Sequence, residues 1–588
     1  MTQTLSNEQI YRSFLLGAKY VINEKDQLNA INVFPVADGD TGSNLASLMK
    51  SILLKSSLEN SLEDTLRSIS RAALVGARGN SGIIFASYIF GFSSGIDQNE
   101  IDIDTLIKQL DKAQASAYQA IETPVEGTMI TLMRYFFNRL NELKGTIKDI
   151  QVLLKQAYKD LALALEQTKD QLAILKTSKV VDAGAKGYYH FLEGFIKAMD
   201  GEEINIDIKD TVDEIVHVDH FELGQTRYCT EVLIEGKDLK QEKIKHLLHP
   251  FGDSVVVAGN NEIRRVHIHT NTPEKVFERL EPVGKIIDQK VDDMKRQFEV
   301  SNHRKHDIAL VTDSIADLPI SYIEDNQIHV LNLSLLINDV TYFDKLTIEN
   351  SRFYQLMNDL KEYPKSSQPN PKTIENLYSF LTSYYKQIIV ITVSSKMSGT
   401  YQAFVNGKKN FKDAQITVID SIQNSVAQGM LVKKASSYIN QGCDYETIID
   451  KIEHDKKRLK ILVSVKTLKY MIRSGRLKRT TGLVGNLINL KPIISIDDEG
   501  MGIIFDKAFS IKSSDQKIFD HIKEVVSKHG IESYALVHIN APDRLEYYSQ
   551  ELTKLTGMKP DYVTDISTIV AMNAGVGSVA VSYFKKER

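Results

Sequence analysis

The spacing of apolar residues changes twice along this chain, and those changes limit its architecture more than any other feature. From about residue 6 to residue 200 the pattern is helical. Ile10, Phe14, Leu15, Ala18 and Val21 recur at three- and four-residue intervals, and residues 150–165 repeat this with alanine and leucine on one side. Strand-like alternation is nearly absent, which predicts an all-helical domain. Short β-rich runs follow at 228–234 (YCTEVLI), 254–258 (SVVVA) and 263–269 (IRRVHIH), with GNN at 259–261 as a hairpin turn. Thr272 and Pro273 read as the cap and first position of a helix. Together these predict a small α+β domain. Residues 288–306 are charged and lack an apolar seam, so they read as a connector. Beyond them, apolar runs at 308–312, 388–393, 416–419, 461–465 and 534–539 alternate with helical stretches, the signature of an α/β domain with a largely parallel sheet. The expected domains are residues 1–200, 201–300 and 307–588.

Composition narrows the function. A length of 588 residues is too great for one hydrophobic core. A net charge of -4 argues against a general nucleic-acid binder, which would be basic. Two cysteines, Cys229 and Cys443, are too few for a disulfide framework and suit a reducing compartment. The N-terminus lacks the basic start and apolar core of a signal peptide, and no apolar run is long enough to span a bilayer. The expectation is a cytoplasmic protein without a membrane span.

Within the helical region, NVFPVADGDTGSN (32–44) sets Asp38 and Asp40 on either side of Gly39. Two carboxylates so close raise each other's pKa unless something positive holds them. GARGNSG (76–82), EGT (126–128) and VDAGAKG (181–187) are further glycine-bearing interruptions. One such loop is most simply a helix end. Hard carboxylate oxygens combined with a backbone that cradles phosphate imply Mg²⁺ carrying a nucleotide. These segments, with PVEGT (124–128), resemble in order the four signatures of DhaL-type kinase domains, the nucleotide-binding domains of glycerone kinases and bacterial fatty acid kinase. The resemblance covers about residues 8–200. It implies a barrel of antiparallel helices with ATP at one end. Asp38 and Asp40 would hold a pair of Mg²⁺ ions, with Asn32, where glycerone kinases have Asp, as a further ligand. Thr41, Ser43 and Asn44 would contact phosphate or metal, Ser81 and Gly82 phosphate, and Thr128 the nucleoside side, while Asp182 would close the site.

In the second region, VHIHT puts His267 and His269 on one strand face, and Cys229 lies on an earlier strand that can pair nearby. Such a pair is often polar packing, and a lone cysteine is often a small core residue. The segments YCTEVLI and VHIHTNTPEKV resemble the middle domain of bacterial fatty acid kinase. That resemblance implies a Zn²⁺ site at Cys229, His267 and His269, with one coordination position left open.

In the third region, VTDSIADLP (311–319), SSQP (366–369) and SSKMSGTYQ (394–402) place hydroxyls at strand ends, where open α/β sheets collect ligands. Any one of these serines reads equally as a helix cap. With VIDS (418–421), IRSGRLKR (472–479) and NLINLKPII (486–494), they resemble the DegV family of fatty-acid-binding proteins over about 307–585. The resemblance implies an apolar tunnel with the carboxylate among hydroxyls. Ser366, where the family usually has Thr, and Ser395 would contact the carboxylate. Ser314 would line the pocket, and Arg476 would pair with the carboxylate or an approaching phosphate. The run Arg473, Arg476, Lys478, Arg479 reads either as a solvated face or as a docking surface for an anionic partner. The family's H-x-G-P-G is here NAGVG, with Asn573 at the His position and Val576 at the Pro.

Combined, the resemblances imply a fusion of kinase and fatty acid carrier, using ATP and Mg²⁺ to convert a long-chain fatty acid to an acyl phosphate for phospholipid synthesis. Asp38, Asp40 and Arg476 are the expected catalytic set. A downstream acyltransferase is the implied partner, and the short connector favours transfer across a homodimer. Two other readings stay open. One is a non-catalytic lipid carrier or sensor regulated by nucleotide. The other is a glycerone-kinase-like phosphotransferase, although no segment resembles a glycerone-binding protein.

Overall fold

A computed structural model describes residues 3–34, 39–121, 123–202, 226–359, 362–477 and 490–587. The chain divides into two compact units, Met1–His303 and Arg304–Arg588.

The first unit begins with a reciprocal cap. Ser6 Oγ accepts the Gln9 main-chain N–H, the Gln9 side chain accepts the Ser6 N–H, and the helix Asn7–Asn23 follows. The residues with helical spacing, Ile10, Phe14, Leu15, Ala18 and Val21, are all buried in it. This helix packs along the helix Ala183–Met199. Their interior is aromatic: Phe85 and Phe191 meet edge to face at 5.1 Å, and the Tyr88 and Tyr188 hydroxyls satisfy each other at 2.7 Å. The pattern of residues 6–200 is helical as expected, save for a two-strand ribbon, Thr4–Ser6 with Glu100–Asp102.

Next in this unit comes an antiparallel sheet ordered Gly252–Gly259, Ile263–Thr270, Tyr228–Glu235, Lys285–Asp293. Leu233, Val256, Ala258 and Ile263 join the helical core, so sheet and helices share one apolar interior. The expected connector is in fact structured. Lys285–Asp293 is the edge strand of this sheet, and Met294–Asn302 is a helix capped by Asp293.

The second unit holds a parallel sheet ordered Gln415–Asp420, Gln387–Thr392, Ile308–Asp313, His329–Leu331. The runs at 461–465 and 534–539, expected in that sheet, lie instead in a separate one. Its order is Gly502–Asp506, Ile493–Ile496, Leu459–Ser464, Val579–Lys585, Ile531–His538, Val563–Asp565, antiparallel except for the last pair. Apolar strands covered by helices read alike in either kind of sheet, which is why sequence alone merged them.

Candidate functional site

Four helices of the first unit start close together: Thr41–Lys55, Gly79–Ser93, Met129–Leu143 and Ala183–Met199. Glycines measure how close. A Cβ on Gly79 would lie 2.1 Å from Asn44 Nδ2, one on Gly187 2.4 Å from Leu45 Cδ1, and one on Gly184 3.0 Å from Met129 Cε. Gly79 also has φ +57°, a conformation other residues rarely adopt. Asp40, Arg78 and Thr128, which precede three of the helices, do not themselves cap the first turn; Asn29 accepts the Ser43 N–H, Glu231 the Gly79 N–H, and the Asp182 carboxylate faces the Met129 N–H. Convergent helix starts, each with a partial positive charge, attract anions, above all polyanions.

At the start of the Thr41 helix lie three hydrogen-bonded pairs of short polar residues. Asn44 Nδ2 donates to Asp40 Oδ2 at 2.6 Å, and Thr41 Oγ1 to Asn32 Oδ1 at 3.0 Å. The Ser43 N–H donates to Asn29 Oδ1, and Asn29 Nδ2 to Ser43 Oγ, both at 3.0 Å. Asn32, Thr41 and Asn44 are buried; Asp40 is half-buried. Asp38 lies outside the described residues. Ser81 and buried Gly82 are in the first turn of the Gly79 helix. Thr128 Oγ1 is turned to its own loop, donating to Val125 O at 2.8 Å. Asp182 is buried and accepts the Ala185 N–H at 2.7 Å. Burial lifts its pKa to about 6, against the pull of N–H groups from Ala185, Met129 and Gly184. The carboxylate of Asp40, the amide oxygen of Asn32 and the convergent helix starts are a set that fits a hard divalent cation carrying phosphates.

The strand pairing sets Cys229 opposite His269, and Glu231 opposite His267. One ligand atom from each of Cys229, His267 and His269 lies within 4.8 Å of the others. Cys229 Sγ is 3.7 Å from His267 Nδ1, and His267 Nε2 is buried without a hydrogen-bond partner. Burial, then the charge of His267, lowers the His269 pKa to about 3, which keeps a lone pair available. Burial pushes the Cys229 thiol up, and the carboxylates of Glu231, Asp292 and Asp40 add to the push. A soft sulfur and two imidazoles, one of them with an orphaned ring nitrogen, are a donor set that fits Zn²⁺, whose charge would reverse that push.

Glu231 ties this cluster to the start of the Gly79 helix. Its carboxylate, 1% exposed, accepts the Gly79 N–H at 2.5 Å and the fully buried Arg265 at 2.8 Å. Burial raises the Glu231 pKa, but Arg265, a His267 hydrogen bond and Arg78 together hold it well below the usual carboxylate range. Arg265 also pairs with Asp288 of the edge strand at 2.7 Å.

The second unit holds a cavity with about 1030 Å³ of empty space, its open mouth included. Its walls are mainly apolar, with Ile461, Val463, Ile494, Val537, Val579 and Ala580 from the six-stranded sheet. Ser366, Arg476 and Asn573 line it, as do Ser367, Ser398 and His538, which the sequence did not single out. Arg476 is held by Ser474 O at 2.6 Å and lies 3.4 Å from Met397 O. Asn573 Nδ2 donates to Ile569 O at 2.7 Å, leaving its buried Oδ1 without a partner. Ser314 and Ser395 are not among the lining residues. Ser314 Oγ accepts the Leu333 N–H, while Ser395 is exposed and its N–H points to Asp420. Lys478 and Arg479 lie outside the described residues.

Three families match, each over a different part of the chain: the DAK2 domain at 35–197, the fatty acid kinase A-like middle domain at 225–301, and the DegV family of uncharacterised proteins at 307–586. An uncharacterized protein of Staphylococcus aureus (strain USA300) is 33% identical over 317 residues, 51% of this chain and 58% of the relative. The match thus spans less than two thirds of that relative. Among solved structures, a fatty acid binding DegV family protein from Streptococcus agalactiae is 25% identical with a TM-score of 0.45, covering 48% of this chain and 99% of that one. DegV, a fatty acid binding protein from Bacillus subtilis, is 26% identical with a TM-score of 0.45, covering 48% and 100%.

Proposed function

Since the chain joins a DAK2 domain and a fatty acid kinase A-like middle domain to a DegV-family domain, we propose that it is a fatty acid kinase carrying its own lipid substrate. It transfers the γ-phosphate of ATP to the carboxylate of a long-chain fatty acid held in the DegV domain, giving an acyl phosphate and ADP. The observation that carries this reading is the cavity: mainly apolar walls with Arg476 and serine hydroxyls among its lining suit a long chain with one anionic end.

The chemistry asks little of the protein beyond position and charge. A carboxylic acid is ionised near neutral pH, so no general base is required. One carboxylate oxygen bonds to the γ-phosphorus as the bond to the β-phosphate oxygen breaks. The barrier is the approach of an anion to a polyanion. The convergent helix starts offset the phosphate charge, and Arg476 offsets that of the carboxylate. Asp40 and Asn32, together with Asp38, would hold Mg²⁺, which neutralises the phosphates when bound. Cys229, His267 and His269 would hold Zn²⁺. The acyl phosphate is an activated acyl group that an acyltransferase would consume, and transfer between two copies of the chain would bring carrier to kinase.

One observation favours a second reading, a lipid carrier or sensor that nucleotide regulates. Asn573, with its unpartnered amide oxygen, supplies no cation to the cavity. ATP consumption by the full chain with oleate, with glycerone and with neither tests these readings. The kinase requires turnover that depends on oleate. Turnover on glycerone alone, or tight oleate binding without turnover, would defeat it.

A further inference from the structure

From the Cys229–His267–His269 cluster to Asp40 runs a series of close contacts, through buried His267, Glu231, Gly79 and Asn44 to half-buried Asp40. His267 Nδ1 lies 3.7 Å from Glu231 Oε1. That same oxygen accepts the Gly79 N–H at 2.5 Å. Gly79 packs so closely on the Asn44 amide that a Cβ would lie 2.1 Å from Nδ2. That Nδ2 is the donor to Asp40 Oδ2 at 2.6 Å. The other Glu231 oxygen is pinned by Arg265, which is 0% exposed. Held on both sides, the Glu231 carboxylate has no room to move without moving the start of the Gly79 helix.

We infer that Glu231 is a positioning residue that couples the Cys229–His267–His269 centre to the nucleotide site, so that a divalent metal in that centre raises nucleotide affinity. A metal on those three side chains fixes the His267 ring, and with it the face of Glu231 that receives Gly79. Gly79 in turn sets Asn44 and, through it, Asp40. This rests on the reading of the helix starts as a nucleotide site, and it gives the middle domain a task for that site beyond its own stability.

The test is calorimetry of Mg²⁺ with a non-hydrolysable ATP analogue on the full chain, loaded with zinc and stripped by a chelator. Stripping the wild-type chain should weaken binding about tenfold, within the usual range of coupling between two sites. Glu231→Gln should keep its zinc, bind the analogue about as weakly as the stripped wild type, and show no further loss on stripping. In the cobalt-loaded chain, the analogue should shift the visible absorption of wild type and not of Glu231→Gln. Equal affinity of loaded and stripped wild type overturns the inference without recourse to any variant. So does a chain that takes up no zinc, or a Glu231→Gln that retains the wild-type metal dependence. A zinc-loaded wild type that binds no analogue defeats the nucleotide reading itself, which is a different result.

Discussion

A carboxylate buried where helices begin is under two opposing pulls, and Asp182 shows which wins. Loss of water outweighs the N–H groups aimed at it, and its folded pKa is about 6. The free side chain titrates near 3.9, so between about 4 and about 6 the folded chain keeps a proton that the unfolded chain has released. The contribution of this group to stability therefore falls as pH climbs through that window and is level above it. Asp182→Asn keeps an acceptor for the Ala185 N–H and removes the titration. The wild-type minus variant difference in unfolding midpoint should decline across the window and flatten above it; a difference flat throughout would contradict the assignment. In the cavity, Arg476→Ala should weaken oleate retention by roughly tenfold or more, as expected for losing a hydrogen bond to a charged group. Unchanged oleate affinity would remove Arg476 from the head-group end. The chemistry of these residues was legible in the sequence, but their orientation was not. Ser395 and Ser398 sit in one motif after one strand, and only the turn's path decides that Ser398 lines the cavity while Ser395 faces solvent. Asn29, which braces Ser43, lies in no glycine motif and left no signal.

Among the elements, the start of the Gly79–Ser93 helix bears most on the proposed nucleotide site. Gly79→Ala forces a left-handed conformation at about 1–2 kcal/mol and drives a methyl into the Asn44 amide. Affinity for Mg²⁺ with a non-hydrolysable ATP analogue should fall about tenfold in calorimetry, 1.4 kcal/mol being one decade. An unaltered affinity would mean that this helix start does not hold phosphate. Glycine spacing announced this element, because positive φ and close approach demand glycine itself. The strand Lys285–Asp293 was hidden for an equally physical reason. It is an edge strand, where charged residues discourage pairing with other chains, and its Asp288 serves Arg265 two strands away, across Tyr228–Glu235. Read locally, such a segment looks like a solvated linker.

Across the whole chain, the order of parts was plain in the sequence because each part keeps its own periodicity and its own run of motifs. Glu231 was not, because its partners Gly79 and Arg265 are distant in sequence and meet only in the folded unit. On the proposed function, joining a kinase covalently to its carrier raises the concentration of each around the other. Lipid chemistry must then depend on a cavity remote in sequence from the helix starts. Ala580→Phe would fill that cavity from the strand Val579–Lys585 and should abolish lipid-dependent turnover while leaving nucleotide affinity intact. The most direct measurement uses oleate whose carboxylate carries heavy oxygen, ATP, and hydroxylamine to trap any acyl phosphate. The account predicts oleoyl hydroxamate and released phosphate bearing the heavy oxygen. ATP hydrolysis that yields only unlabelled phosphate and no hydroxamate would contradict it.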